Sequence, residues 1–188
     1  RKEVVIHVMI IIIMKTLVIH PQDDSTDFLC KIYKDTDWTV INSTVSKKFL
    51  KDSIKSHDRI IMMGHGCDRG LFNSNFDVVI DSNLVYLLRD KDCIAIWCNA
   101  DMFFTKYKLK GLYTGMIISE YTEAQYESVT TTFYEVEKSN ELFSKAMRDG
   151  ITDDGFDIDL IQSVYDISEL NRVMDFNKKQ IYKTDDLY

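Results

Sequence analysis

The sequence has few residues that interrupt helices and strands, with one proline, Pro21, and seven glycines among 188 residues. It contains no proline-, glycine- or serine-rich segment of the kind that links domains. We also find no internal repeat and no low-complexity segment. A chain of this length without a linker predicts a single domain, 1–188, with a sizeable core.

The sequence also lacks paired cysteines. None of its four cysteines belongs to a C-x-x-C pair, which argues against a zinc ribbon and against a thioredoxin-type redox site. A domain of this size does not depend on disulfides for stability. We therefore expect free thiols in a reducing, cytoplasmic environment, and neither a metal nor any other cofactor.

Positive charge is in the minority, with 23 basic and 30 acidic residues and a net charge of −7. Basic residues do not form a stripe interleaved with aromatics, and a nucleic-acid surface needs such a basic footprint. No apolar run is long enough to cross a bilayer. We therefore expect no nucleic-acid partner and no membrane span. The sequence carries no signal for an oligomeric state.

The first residues, RKEVVIHVMIIIIM, combine a charged start with an apolar run. This pattern resembles the beginning of a signal peptide, but no small-residue cleavage site follows it. Two interpretations stay open. Residues 1–13 are either an extension before a natural start at Met14, or part of a long first strand from Val4 to Ile19.

Strand and helix patterns alternate through the first two-thirds of the chain. β-rich apolar runs predict strands at 15–20, 38–42, 59–63, 93–97 and 111–119. Apolar residues at helical spacing predict helices at 25–35, 46–57 and 82–90. The suitable N-caps are Ser25 or Thr26, Ser46 and Ser82. Residues 70–81, with an Asn-Ser-Asn tip, predict a hairpin or a loop.

This alternation predicts an α/β fold, a three-layer sandwich in which helices flank a mainly parallel central sheet. The α/β core would span 14–119. The pattern after residue 120 is mostly helical, so 120–188 is expected to form a helical C-terminal part that packs on the core.

Two reactive side chains follow strands of this sheet. His65, between two glycines, follows the strand 59–63, and Cys98 follows the strand 93–97. Because parallel strands present their carboxyl ends at one edge, we expect the imidazole and the thiol to lie close together. A cysteine nucleophile needs a base to form the thiolate, and histidine has a suitable pKa. The amides of Gly66 and Cys98 would form an oxyanion hole.

These residues resemble the caspase-like cysteine peptidases, a group that includes caspases, legumains, gingipains, clostripain, separase and the bacterial CHAT proteases. The resemblance rests on the βαβαβ start, on IIMMGHG with His65 and Gly66, and on IAIWCNA with Cys98. It implies a cysteine endopeptidase that acts on a peptide or protein substrate, with His65 as general base, Cys98 as nucleophile and the amides of Gly66 and Cys98 as the oxyanion hole.

The sequence also departs from this group. The caspase signature Q-A-C-[RQG]-G is absent, and 33 positions separate His65 from Cys98, against about 50 in caspases. This spacing fits a small bacterial or phage-type member better. Three further residues, Asp101, Ser119 and Glu120, follow strands at the same predicted edge and are candidates for a substrate pocket. Asp101 is equally well interpreted as a helix cap.

Three alternatives stay open. The chain is either an active peptidase or a catalytically inactive caspase-like module for binding or regulation. A metal site made of His65, Cys67 and Cys98 would lack an evident fourth ligand. A nucleotide- or small-molecule-binding α/β domain is a weaker alternative, because Gly-His-Gly does not match G-x-G-x-x-G.

Overall fold

The structure is a computed structural model that describes residues 14–153, 155–166 and 171–184. The two interpretations of residues 1–13 concern a segment outside the described residues. The described residues form eleven strands: β1 (Thr16–Ile19), β2 (Thr39–Ile41), β3 (Arg59–Met63), β4 (His65–Cys67), β5 (Gly70–Phe72), β6 (Val78–Ile80), β7 (Asp92–Ile96), β8 (Gly111–Thr114), β9 (Ile151–Thr152), β10 (Gly155–Phe156) and β11 (Ile181–Lys183).

The same residues form a short 3-10 helix, Asp24–Leu29, and eight α helices. The α helices are α1 (Cys30–Tyr33), α2 (Lys47–Ser56), α3 (Val85–Leu88), α4 (Ala100–Tyr107), α5 (Tyr121–Tyr126), α6 (Phe133–Gly150), α7 (Ile158–Asp166) and α8 (Arg172–Lys178). In the described parts of the chain, no helix combines the length and the apolar character needed to cross a bilayer.

Six strands form the central sheet in the order β11-β8-β7-β3-β1-β2. All neighbouring pairs are parallel except β11 and β8, which are antiparallel. Every residue of β3 is buried, as expected for a strand that is covered on both faces. The prediction of an α/β fold with a mostly parallel sheet is therefore confirmed.

Helices cover both faces of this sheet because successive strand residues point in opposite directions. Leu17 and Ile19 belong to an apolar cluster with residues of α2, α3 and α4. Val18, which lies between them, belongs to a second cluster with residues of α1, α6 and α7. The domain thus has three layers, with one apolar cluster on each side of the sheet.

The segment after β3 differs from the predicted turn. His65 is the first residue of β4, which pairs with β5 in a small antiparallel sheet, and β5 pairs in turn with β6. The loop between β5 and β6 carries the Asn-Ser-Asn tip, so the hairpin predicted within 70–81 is confirmed. This second sheet places His65 on a fixed strand at the carboxyl edge of the central sheet.

Several predicted strands and helices begin or end at other residues in the structure. The strand predicted at 111–119 ends at Thr114, because the chain then leaves the sheet and Ile118 bonds through its N–H and C=O to the Asn177 side chain. The cap of α2 is Ser46, as predicted. However, Leu84 rather than Ser82 precedes α3, and Asp23 caps the 3-10 helix.

The C-terminal part contributes strands as well as helices. It holds α5 to α8, and it also holds the β9–β10 hairpin and β11. Strand β11 pairs with β8, so the last described residues complete the central sheet.

Candidate functional site

His65 and Cys98 lie at the carboxyl ends of adjacent strands. Strands β3 and β7 pair in parallel from Arg59↔Asp92 to Met63↔Ile96. The N–H of Gly64 continues this ladder by donating to the carbonyl of Ile96 at 3.1 Å. The residues that follow each strand therefore emerge at the same edge, as the sequence predicted.

Both side chains line one small cavity of about 30 Å³. Its walls also include Ser119 and Glu123, and the apolar side chains of Ile117 and Phe143. This volume holds about one water molecule. The cavity brings the thiol and the imidazole into one environment, but it is too small to enclose a peptide group.

Cys98 lies in the bend between β7 and α4. Its neighbour Asn99 adopts a left-handed conformation with φ of 66°, which turns the chain into α4. The thiol Sγ lies 3.8 Å from the carbonyl oxygen of Ile117. Burial and, after it, the negative charge of Glu123 raise the pKa of the Cys98 thiol to about 11. The resting side chain is therefore a neutral thiol at neutral pH.

His65 is held at one ring nitrogen by two residues that follow β1. Its Nε2 lies 2.7 Å from Ser25 Oγ and 3.4 Å from Asp23 Oδ1. The Ser25 hydroxyl donates its only hydrogen to Asp23 Oδ1 at 2.6 Å, so Ser25 Oγ can only accept from His65. A neutral His65 therefore carries its proton on Nε2, which leaves the lone pair of Nδ1 for a substrate or a nucleophile.

Asp23 stays ionised in this arrangement. Hydrogen bonds from the Ser25 hydroxyl and the Ser25 N–H, together with His65, hold the pKa of the Asp23 carboxyl below its usual value. The sequence predicted no role at the site for Asp23, and for Ser25 only a role as a helix cap. Both residues follow the first strand shortly after its end, at the edge that carries His65, and this position is the signal that could have indicated them.

Close packing leaves no room for a side chain at position 66. A Cβ at this position would lie 2.2 Å from Trp97 Cδ1 and 2.6 Å from the carbonyl oxygen of Gly70. Trp97 is buried and its Nε1 donates to the carbonyl of Cys67 at 3.1 Å. Glycine is therefore required here for the contact between β4 and Trp97. The oxyanion role of the Gly66 and Cys98 amides stays a prediction.

The three predicted pocket residues take different positions. Ser119 lines the cavity, whereas Glu120 is exposed and precedes α5 as its N-cap. Asp101 lies in the first turn of α4, and it is not among the residues that line the cavity. Asn99, not Asp101, is the N-cap of α4.

The carboxylate that does line the cavity is Glu123. Its Oε2 accepts hydrogen bonds from Ser119 N at 2.7 Å, from Ser119 Oγ at 3.0 Å and from Glu120 N at 3.0 Å. This is a capping box at the start of α5, with Glu120 as the N-cap and Glu123 three positions later. The sequence did not predict it, because glutamate at the N-cap departs from the usual Ser/Thr signature and Ser119 falls at the end of the predicted strand 111–119.

A second histidine, His20, lies at the end of β1 on the same edge. It is 1% exposed, and its ring contacts Tyr33 Oη at 3.0 Å and Thr26 Oγ1 at 3.2 Å. Burial lowers the pKa of His20 to about 4, so it is neutral near pH 7. These contacts, which the sequence did not reveal, are those of a buried histidine that supports the core.

No group of three or more His, Cys, Asp or Glu side chains within the described residues is arranged to hold a metal ion. His65, Cys67 and Cys98 do not form such a group. The four cysteines are free thiols.

Comparisons of the chain with known protein families, with curated proteins and with solved structures return no match. A functional assignment therefore depends on the geometry of the cavity.

Proposed function

We propose that the protein is a cysteine endopeptidase of caspase-like fold that uses His65 and Cys98. The observation that carries this proposal is that the two residues follow adjacent parallel strands and line one cavity. The order along the chain, with the histidine before the cysteine, agrees with the resemblance to caspase-like peptidases.

The proposed reaction begins when His65 Nδ1 takes the proton of the Cys98 thiol. The thiolate attacks the carbonyl carbon of the scissile peptide bond, and the amides of Gly66 and Cys98 stabilise the oxyanion. His65 then protonates the leaving amine, and the C–N bond breaks to give a thioester. A water molecule that loses its proton to His65 hydrolyses the thioester, which releases the acid product and restores the thiol.

Asp23 and Ser25 are positioning residues in this mechanism. The negative charge of Asp23, 3.4 Å from His65 Nε2, stabilises the imidazolium that forms when Nδ1 is protonated. The Ser25 hydroxyl accepts from Nε2 and fixes the plane of the ring. Both effects act on His65 and neither residue contacts the scissile bond.

The resting site must change before it reacts. With a pKa of about 11, only about one thiol in ten thousand is ionised at pH 7. The cavity of about 30 Å³ also has to open before a peptide group can reach Cys98. We propose that substrate binding opens it, since catalytic contacts often tighten only in the complex.

The test is a cleavage screen with a peptide library, in which the parent chain is compared with Cys98→Ala and with Cys67→Ala as matched control. Cys67 is also partly exposed and lies near the same edge, but it does not line the cavity. Cleavage that is lost in Cys98→Ala and retained in Cys67→Ala supports the proposal. Cleavage that survives in Cys98→Ala removes Cys98 as the nucleophile.

A second candidate function is a non-catalytic binding module. The specific observation in its favour is the high pKa of Cys98, to which Glu123 contributes by opposing the thiolate. The cleavage screen separates the candidates, because both predict slow iodoacetamide labelling of a resting thiol whose pKa is raised. If no peptide in the library is cleaved, the non-catalytic function is favoured.

A further inference from the structure

A second cavity lies away from His65 and Cys98. It has a volume of about 600 Å³ and opens at the carboxyl ends of β1 and β2. This volume is in the range of sites for small organic ligands, and the edge is where α/β sheets bind them. Most apolar residues that line this cavity belong to the cluster that includes residues of α2 and α3. Most apolar residues of the His65 cavity belong to the cluster on the other face of the central sheet.

The floor of this cavity is aliphatic. Ile19, Ile41, Leu50 and Leu84 line it, and all four belong to the buried core. Its rim is polar and comes from two loops, the one from Asn42 to Thr44 and the tip of the β5–β6 hairpin. Such a combination suits a ligand with an apolar body and a polar end.

Two lysines on α2 supply positive charge to the rim. Lys47 and Lys51 are four positions apart, so they project from the same face of the helix, and both line the cavity. Neither forms an ion pair with any of the described residues. Lys47 is also the first residue of α2, where the helix dipole adds positive potential.

The acidic residues of the rim, Asp77 and Asp81, accept hydrogen bonds from neighbouring asparagines. Asp81 accepts from the Asn83 N–H at 2.8 Å and from Asn83 Nδ2 at 3.0 Å. Asp77 accepts from Asn73 Nδ2 at 3.2 Å. These donors are neutral amides, so both carboxylates keep their charge but have hydrogen-bond partners. The ammonium groups of the two lysines form no ion pair with the described residues.

We propose that this cavity binds a small organic anion, a carboxylate or phosphate attached to an aliphatic body. The anionic group would contact Lys47 and Lys51, and the aliphatic body would cover Ile19 and Ile41. This site is independent of the proposed peptidase reaction, because none of its residues acts on the scissile bond.

The experiment is a titration of the ¹⁵N-labelled protein followed by NMR, with hexyl phosphate and hexanoate as probes. The expected result is saturable shift changes confined to amides of residues 41–51 and 73–84. Inorganic phosphate and 1-hexanol test the anion and the apolar body separately. Each should bind at least roughly ten-fold more weakly than hexyl phosphate, because each keeps only one half of the contacts.

Variants then locate the anionic group. The double variant Lys47→Met/Lys51→Met keeps the aliphatic stems and should weaken hexyl phosphate binding by roughly ten-fold or more. Lys48→Met is the matched control, since Lys48 lies on the same helix turn but does not line the cavity. It should change the affinity by less than about two-fold. Val45→Phe, which places a larger side chain in the cavity, should weaken the binding of every probe that enters it. Circular dichroism checks that each variant is folded.

Several outcomes overturn the proposal. One is that hexyl phosphate and hexanoate give no saturable shifts in residues 41–51 and 73–84. Another is that 1-hexanol binds as tightly as the two anions. A third is that Lys48→Met weakens binding as much as the double variant.

If hexyl phosphate binds and hexanoate does not, the ligand is a phosphate. The reverse result identifies a carboxylate.

Discussion

Ser25 Oγ lies 2.7 Å from His65 Nε2, although 40 positions separate the two residues in sequence. Because the Ser25 hydrogen is directed at Asp23, this contact fixes which ring nitrogen of His65 carries the proton. The contact thus decides which ring nitrogen is available to act as a base. It depends on β1 and β3 being neighbours in the sheet.

The Ser25→Ala variant tests the hydrogen bond from Ser25 to Asp23 through the pKa of the Asp23 carboxyl. The variant removes the hydroxyl that holds the Asp23 pKa below its usual value, so that pKa should rise towards the ordinary range of an aspartate. In the parent chain, the stability from the lowered pKa is present above about pH 4 and is lost as the pH falls through the pKa of folded Asp23. NMR titration of the carboxyl carbons measures the change.

If the proposed peptidase reaction holds, Ser25→Ala should also lower kcat by roughly ten-fold through loss of His65 orientation, with a smaller effect on KM. Ser56→Ala serves as control, since Ser56 contacts the half-buried His57 and is remote from His65. An unchanged Asp23 pKa in Ser25→Ala would contradict the hydrogen-bond assignment.

Glu123→Gln should lower the pKa of Cys98. The negative charge of Glu123 is the largest cause of the raised pKa after burial, and the variant removes it while retaining an amide oxygen that can accept hydrogen bonds. The rate of iodoacetamide labelling at pH 9 should therefore increase. Loss of the charged capping box should lower the free energy of unfolding by about 1 kcal/mol.

Glu120→Gln is the matched control for this experiment. Glu120 belongs to the same capping box, but it is exposed and is not among the causes of the Cys98 pKa shift. Equal labelling rates in Glu123→Gln and the parent chain would show that the charge of Glu123 does not raise the pKa of Cys98.

His20 should make the protein sensitive to moderate acid. Its pKa is about 4 when folded and about 6.5 when unfolded, so the unfolded chain binds the proton more readily in between. The free energy of unfolding is unaffected at pH 7, and it should fall by up to roughly 3 kcal/mol as the pH drops to 4. Urea denaturation at pH 7, 5.5 and 4 measures this dependence.

The His20→Gln variant should be less stable at pH 7, because contacts to Tyr33 and Thr26 are disturbed, but its stability should depend less on pH. His57→Gln is the control, since His57 contacts Ser53 and Thr39 at the end of α2 and shows no comparable burial. If His20→Gln loses as much stability between pH 7 and 4 as the parent chain does, His20 is not the cause.

Gly66→Ala should destabilise the protein by about 1–3 kcal/mol, because the added methyl group overlaps the Trp97 ring. The double variant Gly66→Ala/Trp97→Phe should be less destabilised than the sum of the two single variants, since phenylalanine has the smaller ring. Thermal or urea unfolding of the four proteins measures this coupling. Strict additivity would show that the clash is relieved elsewhere.

The sheet and the placement of His65 and Cys98 at one edge of it were predictable because they follow from local patterns. Apolar runs mark β3 and β7, and parallel topology then places the residues after them at one edge. The cap Ser46 was also predictable, since its hydrogen bond reaches only to the nearby N–H of Phe49.

Other features depended on contacts that sequence patterns do not encode. The bond between Ser25 and His65 requires the 3-10 helix to fold back over the sheet edge. The pKa of Cys98 depends on burial by Ile117 and Phe143, which lie far along the chain. The early end of β8 depends on Asn177, whose side chain takes over the backbone groups of Ile118. Each of these is a long-range tertiary effect.

The antiparallel strand β11 has a consequence for synthesis on the ribosome. It supplies the outer neighbour of β8, yet it lies at residues 181–183, almost 70 positions after β8. While the chain emerges, β8 has a bare outer edge that is a template for pairing with other chains. This edge is covered only once Lys183 has left the exit tunnel. Nascent chains that stop before this point should therefore be more prone to aggregate than the full sequence.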